Sequence, residues 1–151
     1  MSLQSLRESS ELLAKLTNTE LELFESLSWE VEVRDDEILF EEGEQADTFY
    51  VVIEGKVALE ITSPGKRPMI IQTLGPGDLV GLSWLFPPHR WNWRARVIGD
   101  TRLVVFDAGE VRRQCQENRD LALEVYQAVA DEVASRLHST RIRLLDLYSL
   151  P

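Results

Sequence analysis

The spacing of hydrophobic positions changes along the chain. Leucines recur at roughly helical intervals in residues 3–16, whereas apolar and charged residues alternate one by one over residues 29–34. A spacing of three to four residues indicates an amphipathic helix, and strict alternation indicates a half-buried strand. Residues 1–28 are therefore predicted to form N-terminal helices. The second of these is predicted to begin at Thr19, because Thr19 and Glu22 have the spacing of a capping box.

Short apolar runs separated by turn residues fill the middle of the chain. Residues 49–53 and 57–61 predict a hairpin with Gly55 in its turn, because glycine readily adopts the positive φ that a tight turn requires. Further turn residues lie at 63–66 and 75–78. Many short strands with a turn about every 8–12 residues indicate an all-β sandwich or barrel.

The C-terminal part of the chain has a helical pattern, without proline or further glycine between Gly109 and Leu147. Apolar positions there recur at alternating intervals of three and four residues, which is the a/d seam of a coiled coil. The seam consists of Leu123, Tyr126, Ala130, Val133, Leu137, Thr140, Leu144 and Leu147. A barrel of this size covers only part of so long a helix, so we predict a parallel homodimer in which the helix pairs with a second copy. Packing of the helix on its own barrel is the alternative.

Composition and charge narrow the range of functions. The chain has 151 residues, the length of one domain, and a formal net charge of −10 with a pI of about 4.7. Binding to nucleic acid or to an anionic membrane is not expected, because both need clustered lysine and arginine. There is no apolar run long enough to span a membrane, and the first residues lack the apolar core of a signal peptide. We therefore expect a cytoplasmic protein, with no internal disulfide because Cys115 is the only cysteine.

Three stretches have counterparts in a known family. They are ILFEEGEQADTFYVVIEGKVALEI at 38–61, GPGDLVG at 75–81 and RLHST at 136–140. Together with the order of helix, strands and long helix, they resemble the cyclic-nucleotide-binding domain of the catabolite-activator and protein-kinase-A regulatory type. The resemblance implies a single domain over residues 1–151. Its parts would be N-terminal helices at 1–28, a β-roll (double-stranded jelly roll) at 29–108, and C-terminal helices at 109–148 that form the dimer.

The resemblance also implies a ligand site. Members of this family hold a ligand, usually cyclic AMP or cyclic GMP, between the cassette that GPGDLVG opens and the long helix. Binding repositions the helices to control an attached effector. Thr140 would face the base of the nucleotide, or else set the register of the helix pair. The family's transcription factors continue into a helix-turn-helix, whereas this sequence ends at Pro151, so DNA binding is not expected.

Two positions depart from the family's pattern. Where the family has a glutamate that binds the ribose 2′-hydroxyl, this sequence has Leu82. Where it has an arginine that clamps the cyclic phosphate, this sequence has Trp91 if aligned back from residues 103–106, or Asn92 if aligned forward from Gly81. A leucine leaves a buried hydroxyl unpaired, which costs about 1–3 kcal/mol. We therefore do not expect cyclic AMP to bind in the usual way.

The candidate ligand-binding residues lie in the cassette and on the long helix. They are Gly81, Leu82, Ser83, Arg90, Trp91, Asn92, Arg94 and Thr140. If residues 90–94 form a strand, its two tryptophans share one face and its polar residues share the other. An inward polar face would bind an anion, and an inward aromatic face would suit an apolar or planar ligand. A slip of one residue exchanges the two faces, so the sequence leaves both open.

Three functions are compatible with these features. The first is a stand-alone regulatory domain that senses a cyclic nucleotide or another small anionic ligand and acts on a protein effector. The alternative is a dimeric protein-interaction module without a ligand, its pocket filled by its own aromatic residues. A metal-dependent enzyme of the cupin kind is the least expected. His89 lies in a loop and His138 on the long helix, so neither a metal site nor a catalytic residue is predicted.

Overall fold

The structure is a computed structural model and describes residues 3–149. Its elements follow the predicted order of helix, strands and long helix. They are a 3-10 turn at Leu3–Leu6, α1 at Glu11–Lys15, α2 at Asn18–Ser26, β1 at Ser28–Val33, β2 at Ile38–Phe40, β3 at Thr48–Ile61, β4 at Met69–Leu74, β5 at Leu79–Val80, a 3-10 turn at Ser83–Leu85, β6 at Arg94–Asp107, α3 at Ala108–Glu117 and α4 at Arg119–Ser149. No helix within residues 3–149 is both long enough and apolar enough to span a membrane.

One antiparallel sheet of six strands carries the fold. β3 pairs with β6, β1 and β2 add to β6, and β4 and β5 add to β3. β3 and β6 have 14 residues each. Each of them is therefore long enough to pair with the other and with two shorter strands. This arrangement confirms the predicted β-roll with flanking helices, although the sheet is not closed into a barrel.

Stacked aromatic rings occupy the core. Phe49 of β3 stacks on Trp84 and on Phe106, with ring centroids 3.9 Å and 4.9 Å apart, and all three side chains are fully buried. Phe24 of α2 packs on Phe106 at 5.7 Å. These contacts fix α2 and the turn at Ser83–Leu85 on the sheet, and with them the start of the segment in which ligand-binding residues are predicted.

The predicted hairpin at Gly55 is wrong. Thr48–Ile61 is the single strand β3, which continues through Gly55. The pairing of β3 with β6 shifts register on both sides of Glu54, so Gly55 lies in a bulge. Its φ is +107°, and a Cβ there would lie 2.5 Å from the Thr101 hydroxyl oxygen. A bulge and a tight turn both use the positive φ of glycine, so the residue type alone does not distinguish them.

The second helix begins two residues earlier than predicted. The Thr17 hydroxyl accepts a hydrogen bond from the Glu20 N–H at 3.2 Å, and the Glu20 carboxylate accepts one from the Thr17 N–H at 2.9 Å. The capping box is therefore Thr17/Glu20 and not Thr19/Glu22. Both pairs have the same spacing, so only the position of the helix on the core distinguishes them.

The C-terminal helical region is divided at Asn118 into α3 and α4. The buried residues of α4 belong to the core and are Leu121, Val125, Ala128 and Val129. The residues of the predicted a/d seam, in contrast, are all exposed. α4 therefore packs on its own domain with one stripe of its surface and leaves the seam stripe accessible.

Candidate functional site

A cavity of about 730 Å³ lies between the sheet, the segment 81–93 and the second half of α4. β3 and β4 contribute apolar side chains such as Leu59 and Met69, and α4 contributes Leu137 and Leu144. Sites for small molecules in proteins typically measure about 300–1,000 Å³. The cavity is thus large enough for a ligand and is bounded by three separate parts of the fold.

Most of the predicted ligand-binding residues line this cavity. Those that do are Gly81, Leu82, Ser83, Arg90, Trp91, Asn92 and Thr140. Arg94 is not among the lining residues. The cassette and the long helix, which are far apart in the sequence, therefore meet at one space. That these residues contact a ligand stays a prediction.

The predicted alternation of side chains over residues 90–94 is wrong. β6 begins only at Arg94, and residues 91–93 are irregular. Without the alternation of a strand, aromatic and polar side chains of this segment border the same space. Those that line the cavity are Arg90, Trp91, Asn92 and Trp93. The wall is therefore aromatic and cationic at once, and the two alternatives left open by the sequence are both partly present.

Arg94 forms its ion pairs on the face of the sheet that points away from the cavity. Its Nε lies 2.8 Å from Glu41 Oε1, and its Nη1 lies 4.0 Å from Oε1 of Glu60, which is 2% exposed. Arg96 forms two hydrogen bonds with the Glu60 carboxylate, at 3.2 Å and 2.8 Å, and these raise the pKa of the Arg96 guanidinium. Leu59 lines the cavity and adjacent strand residues point to opposite faces, so this group of ion pairs lies behind the cavity wall.

Trp91 is held in the cavity wall by packing. It is 4% exposed, and its ring stacks on Phe40 with centroids 3.9 Å apart and an interplanar angle of 13°. Its ring also lies against Gly81, where a Cβ would be 2.3 Å from a ring carbon. Gly81 has a φ of +86°, so both its conformation and its lack of a side chain favour glycine. An aromatic side chain thus occupies one of the two positions at which the resemblance places the phosphate-clamping arginine.

Two arginines of α4, Arg136 and Arg143, also line the cavity and are additions to the predicted set. Arg136 Nε lies 3.1 Å from Glu132 Oε2, and Arg136 Nη2 donates to the Leu79 carbonyl oxygen. Burial is the main cause that lowers the pKa of Arg136 and raises the pKa of Glu132, and the attraction between the two groups opposes both shifts. Arg143 Nη1 donates to the Ile71 carbonyl oxygen of β4 at 2.8 Å. These bonds tie α4 to the sheet across the cavity.

The sequence feature that identifies Arg136 and Arg143 as site residues is their spacing from Thr140. Arg136, Thr140 and Arg143 are separated by four and three residues, which places them on one face of a helix. Once Thr140 is assigned to the site, both arginines follow from helix geometry. The Thr140 hydroxyl donates to the Arg136 carbonyl oxygen at 2.9 Å, so its proton is engaged within the helix and its oxygen can act towards a ligand as an acceptor.

Within residues 3–149 no three His, Cys, Asp or Glu side chains come close enough together to hold a metal ion. Burial, together with the nearby charge of Glu20, raises the pKa of the Cys115 thiol to about 11. The thiol is therefore protonated at neutral pH and is a poor nucleophile.

The family model of the cyclic nucleotide-binding domain matches residues 30–118, more than half of the chain. The chain belongs to the cyclic nucleotide-binding domain family. The matched region includes the cassette and nearly all of the β-roll, and it ends just before α4.

Solved structures with the same fold cover nearly all of this domain. A protein of Geobacter metallireducens described as a cyclic nucleotide-binding protein is 27% identical to it, with a TM-score of 0.82 over 91% of this chain and 99% of that chain. The N-terminal domain of a transcriptional regulator from Streptomyces coelicolor is 28% identical, with a TM-score of 0.70 over 89% of this chain and 93% of that chain.

The curated relatives are longer proteins. The CRP-like cAMP-activated global transcriptional regulator of Mycobacterium tuberculosis is 28% identical over 109 residues, which are 72% of this chain and 47% of that protein. The transcriptional activatory protein AadR of Rhodopseudomonas palustris is 31% identical over 113 residues, which are 75% of this chain and 46% of that protein. The chain thus spans about half the length of the curated relatives that it matches.

Proposed function

We propose that this cyclic nucleotide-binding domain is a regulatory module that senses a small molecule in the cavity and passes the signal on through α4. The cavity carries the proposal, because its space of about 730 Å³ is bounded both by the segment 81–93 and by α4. A molecule that contacts both would stabilise one position of the helix relative to the sheet. A protein-interaction module with a filled pocket is the second candidate, favoured by the stacking of Trp91 on Phe40, but this stacking leaves the cavity open.

The ligand of this module, in the proposal, is not cyclic AMP held as the family usually holds it. Leu82, which the resemblance places at the position of the family's ribose-binding glutamate, lines the cavity and accepts no hydrogen bond. Where the resemblance places the phosphate-clamping arginine, this chain has Trp91 or Asn92, and neither carries a positive charge. Cyclic AMP bound in the usual orientation would leave its 2′-hydroxyl unpaired, at a cost of about 1–3 kcal/mol, besides losing the phosphate contact.

Binding inside the cavity can be tested with the neutral apolar fluorophore N-phenyl-1-naphthylamine. We expect its fluorescence to rise when the protein is added, and Thr140→Trp to lower its affinity by about tenfold or more, because the indole would occupy space that Thr140 borders. Ser139→Trp is the matched control, because Ser139 is exposed on the same helix and is not among the lining residues. If the two variants bound the fluorophore equally well, the cavity would not be its site.

We propose in addition that two copies of the domain pair in parallel through the seam of α4. Leu123 and Leu147, at the two ends of the seam, are 68% and 67% exposed, and the apolar residues between them are exposed as well. An exposed row of apolar side chains of this kind, interrupted at Thr140, marks an interaction site, and its heptad spacing suits the same helix of a second copy. Leu137 and Leu144 belong both to the seam and to the cavity wall, so ligand binding and helix pairing would influence each other.

Ala130→Glu is expected to weaken the dimer by about a hundredfold, because it places a charge in the middle of the seam without a partner. Sedimentation velocity over a range of concentrations measures the change. Ile142→Glu is the control, since Ile142 is 45% exposed and lies on the outer side of the same helix, at an f position. A dimer that tolerates Ala130→Glu but dissociates with Ile142→Glu would show that another face of α4 pairs.

A further inference from the structure

The lining of the cavity differs in charge from the rest of the molecule. The described lining residues include no aspartate or glutamate, although these make up 26 of the 151 residues of the chain. The same lining includes the three arginines Arg90, Arg136 and Arg143. A protein with a formal net charge of −10 thus contains a cavity whose charged lining residues are all arginines.

Two of these arginines keep their charge available. Arg136 is paired with Glu132, but the hydrogen bonds of Arg90 and Arg143 go to carbonyl oxygens. Arg90 Nη1 donates to the Gly43 carbonyl oxygen at 2.8 Å, and Arg143 Nη1 donates to that of Ile71 at 2.8 Å. Within residues 3–149 neither Arg90 nor Arg143 forms an ion pair with a carboxylate.

The two charges and the apolar lining of one cavity favour a ligand that has both an anionic group and an apolar body. Arg90 belongs to the segment before β6 and Arg143 to α4, so the charges border the cavity from two sides. A guanidinium has five N–H donors, and a single bond to a carbonyl oxygen positions it while leaving donors for an anion. Most of the remaining lining is apolar, and part of it is exposed to solvent: Met69 is 65%, Ile70 47% and Trp93 41% exposed.

We propose that the ligand of this domain is an amphiphilic organic anion, with its anionic head at Arg90 or Arg143 and an extended apolar body against β4, Trp91 and Trp93. This inference rests on the proposed ligand-sensing function. A cyclic nucleotide fits the lining less well, because its ribose hydroxyl finds no carboxylate acceptor among the described lining residues. An aliphatic body gains about fourfold in affinity for each methylene group that it buries.

Three probes with the same ten-carbon chain separate charge from apolar contact: decanoate, decan-1-ol and decylamine. In isothermal titration of the full chain we expect decanoate to bind about tenfold more tightly than decan-1-ol, and decylamine to bind most weakly. Combining Arg90→Gln with Arg143→Gln should lower the affinity for decanoate about tenfold and leave that for decan-1-ol unchanged. Arg119→Gln, which removes an exposed arginine of α4 outside the cavity, should change neither.

Equal affinities for decanoate and decan-1-ol would overturn the anionic head, and so would a double variant that binds decanoate like the unaltered protein. Tighter binding of cyclic AMP than of decanoate would overturn the amphiphilic body. Each of these results leaves the ligand-sensing function standing if the neutral fluorophore still binds and Thr140→Trp still blocks it. Failure of the fluorophore to distinguish Thr140→Trp from Ser139→Trp would remove the cavity function itself.

Discussion

Replacing Gly77 by alanine is expected to lower the free energy of unfolding by about 2–5 kcal/mol. Gly77 has a φ of +86°, and a Cβ there would lie 2.1 Å from the carbonyl oxygen of Ser9. The backbones of Gly77 and Ser9 are both held in place and cannot easily separate to make room for the Cβ. The Gly77 N–H donates to the Val52 carbonyl oxygen at 2.8 Å, and Ser9 directly precedes Ser10, the buried N-cap residue of α1. Urea denaturation followed by circular dichroism measures the loss.

Gly43→Ala separates the effect of the clash from that of the backbone conformation. Gly43 has a φ of +87°, almost the same as that of Gly77, but no atom lies within 4 Å of the Cβ position. We expect Gly43→Ala to cost only about 1–2 kcal/mol, the price of a left-handed conformation for alanine. If both variants lost the same stability, the clash of the added Cβ with Ser9 would not contribute to the loss at Gly77.

Gly77 and Gly55 illustrate how far the sequence predicts this fold. The run GPGDLVG predicts a turn and, by resemblance, the entry to the cassette, and the structure has that turn, with the Asp78 N–H bonded to the Gly75 carbonyl oxygen at 3.0 Å. Gly55 looks equally like a turn, yet it lies in a bulge within β3. The difference is set by pairing with Thr101 and its neighbours on β6, and contacts over that distance leave no local pattern.

The candidate site was predictable where the argument was local or came from the family, and not where it depended on register. The resemblance predicts Gly81 and Thr140 at the site, and both line the cavity. The prediction for Arg94 depends on a strand that begins before it, and the start of β6 at Arg94 itself removes that alternation. Its partner Glu41 is 53 residues away in the sequence, so the ion pair that engages its charge could not be read from spacing.

Replacing Trp91 by alanine is expected to lower the free energy of unfolding by about 3–5 kcal/mol. The ring is 4% exposed and stacks on Phe40 at 3.9 Å. Gly81, which has no side chain, lies on its edge, so nothing nearby would fill the space that the indole leaves. Differential scanning calorimetry should show a lower melting temperature and a smaller unfolding enthalpy.

Trp93→Ala is the control, because Trp93 lines the same cavity but is 41% exposed and should cost about 1 kcal/mol or less. The reverse ranking would mean that the stacking on Phe40 contributes little and that Trp91 is free to leave the cavity wall.

The expected ranking has a consequence for the family's phosphate clamp. An arginine in place of Trp91 would lose the stacking and bring a charge into a largely buried position, so that exchange should destabilise the domain rather than restore a clamp. The positive charges that remain accessible in the cavity belong to Arg90 and Arg143, and an anion in this domain is therefore expected to depend on those two side chains.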